Sequence, residues 1–136
     1  MRVLVPRPIG DAEETAARLR ERGHVTMISP LLEVRFRDGS DLSLDGVQAI
    51  VATSANGIRA LARRSQKREI PLFAVGPQTA AAARAAGFSD VKNSQGDSVA
   101  LADAISGWAD TSKGALLHVA GNEATSRFAT RLSEHR

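Results

Sequence analysis

Three short stretches carry residue types that hold anions. Thr53-Ser54-Ala55-Asn56 ends one apolar run, Val75-Gly76-Pro77-Gln78-Thr79 ends another, and Ala120-Gly121-Asn122-Glu123 ends a third. A helical pattern follows each. Hydroxyl and amide side chains at such places accept from the backbone N–H groups of a helix start, which have no partner inside the helix. A helix start also attracts negative charge. In open α/β sheets, ligands bind just outside the carboxyl ends of the strands. Gly76 and Gly121 would let main-chain N–H groups come close to a ligand. Taken together, the three turns predict a site for something acidic. Taken singly, each also suits a plain helix cap, and both readings stay open. Arg7 follows the first apolar run, Arg2 to Val5. It is either a fixed cation for a carboxylate or a surface arginine that closes its loop.

Sharper chemistries are absent. The sequence has no Gly-x-Gly-x-x-Gly, no phosphate loop and no Gly-x-Ser-x-Gly. It has no cysteine, hence no disulfide framework, thiol nucleophile or thiolate metal site. His24, His118 and His135 are isolated from one another. His118 lies inside an apolar run and reads as a packed or edge histidine. The carboxylates sit in helices and loops, not at strand ends, so no acid–base pair is assigned. A phosphorelay receiver would need acidic residues after its first strand, where this chain has Pro6 and Arg7.

The elements that must position these residues alternate. The first strand, Arg2 to Val5, leads through Pro6–Gly10 to a helix from about Asp11, where Asp11 and Glu14 form a capping-box-like pair. Ala12, Ala16 and Leu19 share its apolar face, and Gly23 stops it. Val25 to Ser29 is the second strand, joined to the first by a right-handed crossover. Pro30 to Arg37 is an extended, alternating stretch, and Asp38-Gly39-Ser40-Asp41 is a polar turn. Val47 to Ala52 reads as a buried parallel strand because it is continuously apolar apart from Gln48. The helix after it runs from about Ala55 to Arg64, with Ile58, Leu61 and Ala62 inward. Ser65 to Glu69 is a basic loop and Ile70 to Val75 the next strand. Pro77 opens a helix that ends at Gly87. Phe88 to Val91 reads as a short strand and Lys92 to Gly96 as a loop. Asp97 caps a helix with Leu101, Ile105 and Trp108 on one face; Ala115 to Val119 is the last strand. Glu123 to His135 is a helix with Phe128 and Leu132 inward. This alternation predicts an α/β fold with parallel sheets flanked by helices. A doubly wound unit would follow its last helix with another strand, so the order also hints that the sequence is incomplete.

Composition bounds the rest. The chain has 136 residues, 43% hydrophobic and 24% charged, which suits a soluble globular protein. The formal net charge of +3 is spread along helices, and one Trp, four Phe and no Tyr offer no base-stacking platform. No nucleic-acid partner is expected. The mild positive excess would draw in a polyanionic small molecule. No segment reads as a signal peptide or membrane span, so the expectation is a cytoplasmic protein without a membrane partner.

At these residues the chain resembles the uroporphyrinogen-III synthase family. The resemblance rests on Val3-Leu4-Val5-Pro6-Arg7-Pro8, Gly23-His24, Pro30-Leu31-Leu32-Glu33-Val34 and Ala52-Thr53-Ser54-Ala55-Asn56-Gly57. It continues through Phe73-Ala74-Val75-Gly76-Pro77-Gln78-Thr79-Ala80, the Ala-Ala-Gly-Phe ending at Phe88, and Leu116-Leu117-His118-Val119-Ala120-Gly121. Their shared order and spacing span almost the whole chain. The resemblance implies two flavodoxin-like α/β domains joined by extended crossovers, with the substrate in the cleft between them. Residues 1–33 would be the amino-terminal part of the first domain, which would be incomplete here, and 34–136 most of the second, with the crossover at about 30–37. The family's usual tyrosine near the cleft is absent, and Ala120 stands where Arg often precedes the glycine.

The resemblance further implies a lyase of tetrapyrrole (haem, sirohaem or cobalamin) biosynthesis. Its substrate is hydroxymethylbilane, a linear tetrapyrrole with many carboxylates. The enzyme closes the ring with loss of water and inverts the last pyrrole, through a spiro intermediate. No cofactor or metal is implied. The substrate supplies its own azafulvene, so the protein mainly folds it into the closing geometry. Thr53, Ser54, Asn56, Gly76 and Thr79 are the positions that would hold carboxylates, with Arg7 as a cation. Two alternatives remain: a non-catalytic binding module or inactive fragment that holds an acidic small molecule, and a flavodoxin-like nucleotide binder, which the missing phosphate-loop motifs weigh against. A lone β-α-β unit is marginal by itself, so residues 1 to about 30 are expected to be mobile, docked elsewhere or paired with a second copy. An open strand edge permits such self-association.

Overall fold

The computed structural model describes residues 1–120 together with 128, 130, 132 and 133. The chain divides into two compact units, Met1–Arg37 and Asp38–Arg136.

In the first unit, β1 (Arg2–Val5) and β2 (Val25–Ile28) form a two-stranded parallel sheet connected by α1 (Ile9–Glu21). Val5, Ala12 and Ala16 are its buried core, with Leu19 and Ile28 packed against them. Leu4, Val25 and Met27 remain exposed. The register pairs Leu4 with Met27, so the two share the uncovered face of the sheet. The expected capping box at Asp11 and Glu14 does not form. The helix begins two residues earlier, with Pro8 as its cap residue and no capping side chain. Pro8 is already in an extended conformation, φ −50° and ψ 146°, and its carbonyl accepts from Asp11 and Ala12. Asp11 therefore lies inside the first turn, where its charge suits the helix dipole. Residues 30–37 join no ladder, and Leu31 and Leu32 are exposed.

In the second unit, β3 (Val47–Ala52), β4 (Leu72–Ala74), β5 (Val91–Asn93) and β6 (Ala115–Val119) form one parallel sheet in the order β5-β4-β3-β6. One face packs Ile50, Ala52, Leu72 and Ala74 against Ile58 and Leu61 of α2 (Ala55–Arg64) and Ala80 and Ala83 of α3 (Pro77–Ala85). The other packs Ala49, Val51 and Phe73 against Leu101, Ala102 and Ile105 of α4 (Ser98–Trp108) and against Phe128. The strands are apolar on both sides because both faces are covered. Phe128 and Leu132 are helical and inward, as expected; the rest of the expected 123–135 helix lies largely outside the described residues.

One strand is displaced from its expected place. Phe88 does not open β5, which starts at Val91. The end of α3 turns through Gly87 at φ +101°, with Gly87 N–H bonded to Arg84 and Phe88 N–H to Ala83. That doubly bonded exit is the helix-stop geometry that presses the next side chain back onto the helix. Phe88 is consumed there, 2% exposed, with the Arg68 guanidinium 5.1 Å above its ring. Lys92 and Asn93, expected in a loop, lie in the strand instead.

Candidate functional site

The four strands of the second unit end flush. Ala52 is the register partner of Ala74 and of Val119, and Ala74 is the partner of Asn93. The residues that follow, Thr53, Val75, Ser94 and Ala120, therefore start four loops on one edge of the sheet. α2, α3 and α4 begin there, so three helix N-termini line the same edge. From β3 the chain steps to β4 and β5 on one side, then crosses to β6 on the other. The reversal lies between β3 and β6, and such a switch point is where doubly wound sheets open a ligand crevice.

Thr53, Ser54 and Asn56 are together in the turn between β3 and α2. Thr53 is half-buried, with its Oγ1 3.3 Å from His118 Nε2. Ser54 is the N-cap of α2, and its Oγ accepts from Gly57 N–H at 3.2 Å. Asn56 Oδ1 accepts from Arg59 Nη1 at 2.7 Å. The Ala55 and Asn56 N–H groups precede any intrahelical acceptor and point along the helix axis toward the edge.

Gly76 and Thr79 lie at the next turn. Gly76 is the N-cap of α3, Pro77 is in its first turn, and Thr79 is buried at 5% exposure. This turn is tied down from β5: Val75 carbonyl accepts from Ser94 Oγ at 3.0 Å and from Gly96 N–H at 3.3 Å. Arg7 belongs to the first unit, where its Nη1 donates to Thr15 Oγ1 at 3.2 Å and Asp11 is 3.9 Å away. Gly121, Asn122 and Glu123 lie outside the described residues.

Sequence reasoning missed two features of this edge. The first is the β5–α4 turn, Ser94-Gln95-Gly96-Asp97, where Asp97 Oδ1 accepts from Val99 and Ala100 N–H. Its signal is Asp97 as a cap, but the strand propensity of Phe88 draws the expected strand three residues toward the amino end. The second is the pairing of His118 with Thr53, 65 residues apart in sequence. The His118 ring also packs against Phe128, with centroids 4.6 Å apart. Burial pushes the His118 imidazole below its ordinary pKa and favours the neutral form.

A cavity of about 760 Å³ opens elsewhere in this unit, against Gln48 and Leu116 at the amino ends of β3 and β6 and against Ile105 and Ser106 of α4. Among the described residues its lining contains no charged side chain, and Gln48 is already bonded to Asp110 and Gly114. It offers little to an anion. Among the described residues no cluster of His, Asp or Glu could hold a metal, and no helix is long and apolar enough to cross a membrane.

The geometry defines an α/β protein of doubly wound type, whose strand carboxyl edge is built from helix starts and small polar side chains. The family model for the uroporphyrinogen-III synthase HemD matches residues 13–136, and the chain belongs to that family. No curated protein matches it. Membership supports a uroporphyrinogen-III synthase-like function in tetrapyrrole biosynthesis, of lyase type, on a small-molecule tetrapyrrole.

Proposed function

We propose that the chain carries out uroporphyrinogen-III synthase chemistry, closing hydroxymethylbilane to uroporphyrinogen III with loss of water and inversion of the last pyrrole. The observation that carries this reading is the convergence of three helix N-termini on the flush edge of one parallel sheet, in a chain of this family. The substrate bears many carboxylates, and main-chain N–H groups at helix starts hold anions without a metal. Thr53, Ser54 and Asn56 serve one carboxylate subsite at α2, and Gly76 and Thr79 serve another at α3. Thr79 is buried, so its contribution comes from the main-chain N–H. In the first unit Arg7 is the candidate cation.

The chemistry asks little covalent work of the protein. Loss of water from the hydroxymethyl group gives an azafulvene, an electrophile that the substrate makes itself. The terminal pyrrole attacks it at its substituted carbon, and the ring inversion follows through a spiro intermediate. Held in a folded conformer, this step gains over the spontaneous linear closure by positioning.

Freshly prepared hydroxymethylbilane separates the outcomes. It closes spontaneously to the type I isomer. An excess of type III after oxidation, resolved by chromatography, is the expected result. Type I alone from folded protein overturns the reading. Stabilisation of that inactive protein by uroporphyrinogen would then mark a binding module.

A further inference from the structure

We propose that His118 is a positioning residue that sets the direction of the Thr53 hydroxyl, and so the carboxylate subsite at the reversal point of the sheet. This rests on the synthase reading above. His118 pairs in register with Val51, and its side chain reaches Thr53, two residues on and just past the end of β3. Both therefore stand on the same sheet face. The 3.3 Å contact joins β3 to β6 across the point where the chain order reverses. Phe128 packs against the same ring, with centroids 4.6 Å apart, so the imidazole has a second partner.

The consequence is chemical. A threonine hydroxyl has one proton and two lone pairs. If His118 Nε2 accepts that proton, Thr53 shows an incoming carboxylate only lone pairs, which repel it. If Nε2 carries a proton and donates it to Thr53 Oγ1, the hydroxyl proton is left for the carboxylate. The site therefore requires His118 in the form protonated on Nε2. Thr53, Ser54 and the first N–H groups of α2 then all offer compatible groups to one anion. No residue of the chain gains or loses a proton in this arrangement.

Type III formation by the full chain is the test, with the urea midpoint of each variant measured alongside. His118→Phe keeps a ring against Phe128 and removes Nε2. It is expected to lower kcat/KM for type III formation about tenfold, the worth of one oriented hydrogen bond. His118→Gln, which brings an amide N–H near the place of Nε2, is expected to restore most of the rate; His118→Asn, too short to reach, is not. Thr53→Val should match the loss of His118→Phe, and the double variant should lose no more than either single one. Independent, multiplying losses overturn the assignment, as does a His118→Phe enzyme with the wild-type rate. If His118→Phe does not fold, equal rates for the Gln and Asn variants overturn it instead. A wild-type chain that yields type I alone overturns the synthase reading and this assignment with it, so the two failures are told apart by the wild-type control.

Discussion

Gly57 and Gly76 both stand at helix starts, yet their backbones ask for different things. A Cβ on Gly57 would come within 2.6 Å of the Val119 carbonyl oxygen. Alanine ordinarily gains about 1 kcal/mol over glycine inside a helix. Here the obstacle is strand backbone held in the β3–β6 ladder, which cannot rotate away as a side chain can. Gly57→Ala is expected to destabilise by about 1–3 kcal/mol, as overpacking does, read as a lower urea midpoint at an unchanged slope. Gly76 is extended, with φ −166° and ψ −177°, and a Cβ would meet nothing nearer than 4.0 Å. Gly76→Ala should cost under about 1 kcal/mol while lowering type III formation, because the methyl group stands where a ligand would approach the main chain. Stability and activity falling in step would remove Gly76 from the site. His118 adds a pH dependence. Its folded-state pKa lies below the ordinary imidazole value because of burial, so the unfolded chain takes up the proton first as the pH falls. Stability is therefore whole above the ordinary imidazole range and declines as the pH drops through it toward the lowered value. Urea titrations should show this decline in the wild type and a shallower one in His118→Phe. A slope unchanged by the substitution would mean that another group causes it. Thr53 was legible as a candidate from its type and place. Its partner was not, because the contact depends on the register between strands 65 residues apart.

At the scale of elements, local rules worked where one signal acted alone. β3 and α2 begin and end where the apolar run and Ser54 place them. They failed where two signals competed. Asp11 and Glu14 have capping-box spacing, but Pro8, with its fixed φ, had already set the helix start. Phe88 has strand propensity, but the Gly87 exit turns it into the core, and β5 waits for Val91. The same reasoning makes α4 testable. Its start depends on Asp97, whose Oδ1 accepts from Val99 N–H at 3.0 Å and Ala100 N–H at 2.9 Å. α4 supplies Leu101, Ala102 and Ile105 to one face of the sheet, so fraying at its start uncovers core. Asp97→Ala is expected to cost about 1–2 kcal/mol, at the upper end for a cap, with Asp97→Asn or Asp97→Ser recovering most of it. Thermal unfolding of the three variants checks this. An alanine variant as stable as the wild type would mean that packing, not the cap, fixes where α4 begins.

For the molecule as a whole, the two units differ in how much they can bury. The second unit has two layers of core, with Phe88, Ile50, Ile58, Leu72, Leu101 and Val51 fully enclosed. The first encloses only Val5, Ala12 and Ala16, and two of these are single methyl groups. Its sheet has two strands, and one face shows Leu4 and Met27 to solvent at 58% and 67% exposure. Burial of apolar area is the main favourable term in folding, and a two-stranded sheet with one helix has little of it to set against chain entropy. The ladder amides of β1 and β2 are therefore expected to exchange hydrogen far faster than those of β3 and β4 in dilute protein. Protection in residues 2–28 equal to that in residues 47–91, in a sample shown to be monomeric, would refute this. Concentration then distinguishes the cause. If β1 and β2 pair with a second copy, their protection should rise with protein concentration while that of β3 stays level. Substituting Leu4→Lys or Met27→Lys on the exposed face should abolish the rise without altering β3. Protection that ignores concentration and these charges would mean that pairing with a second copy is not its source.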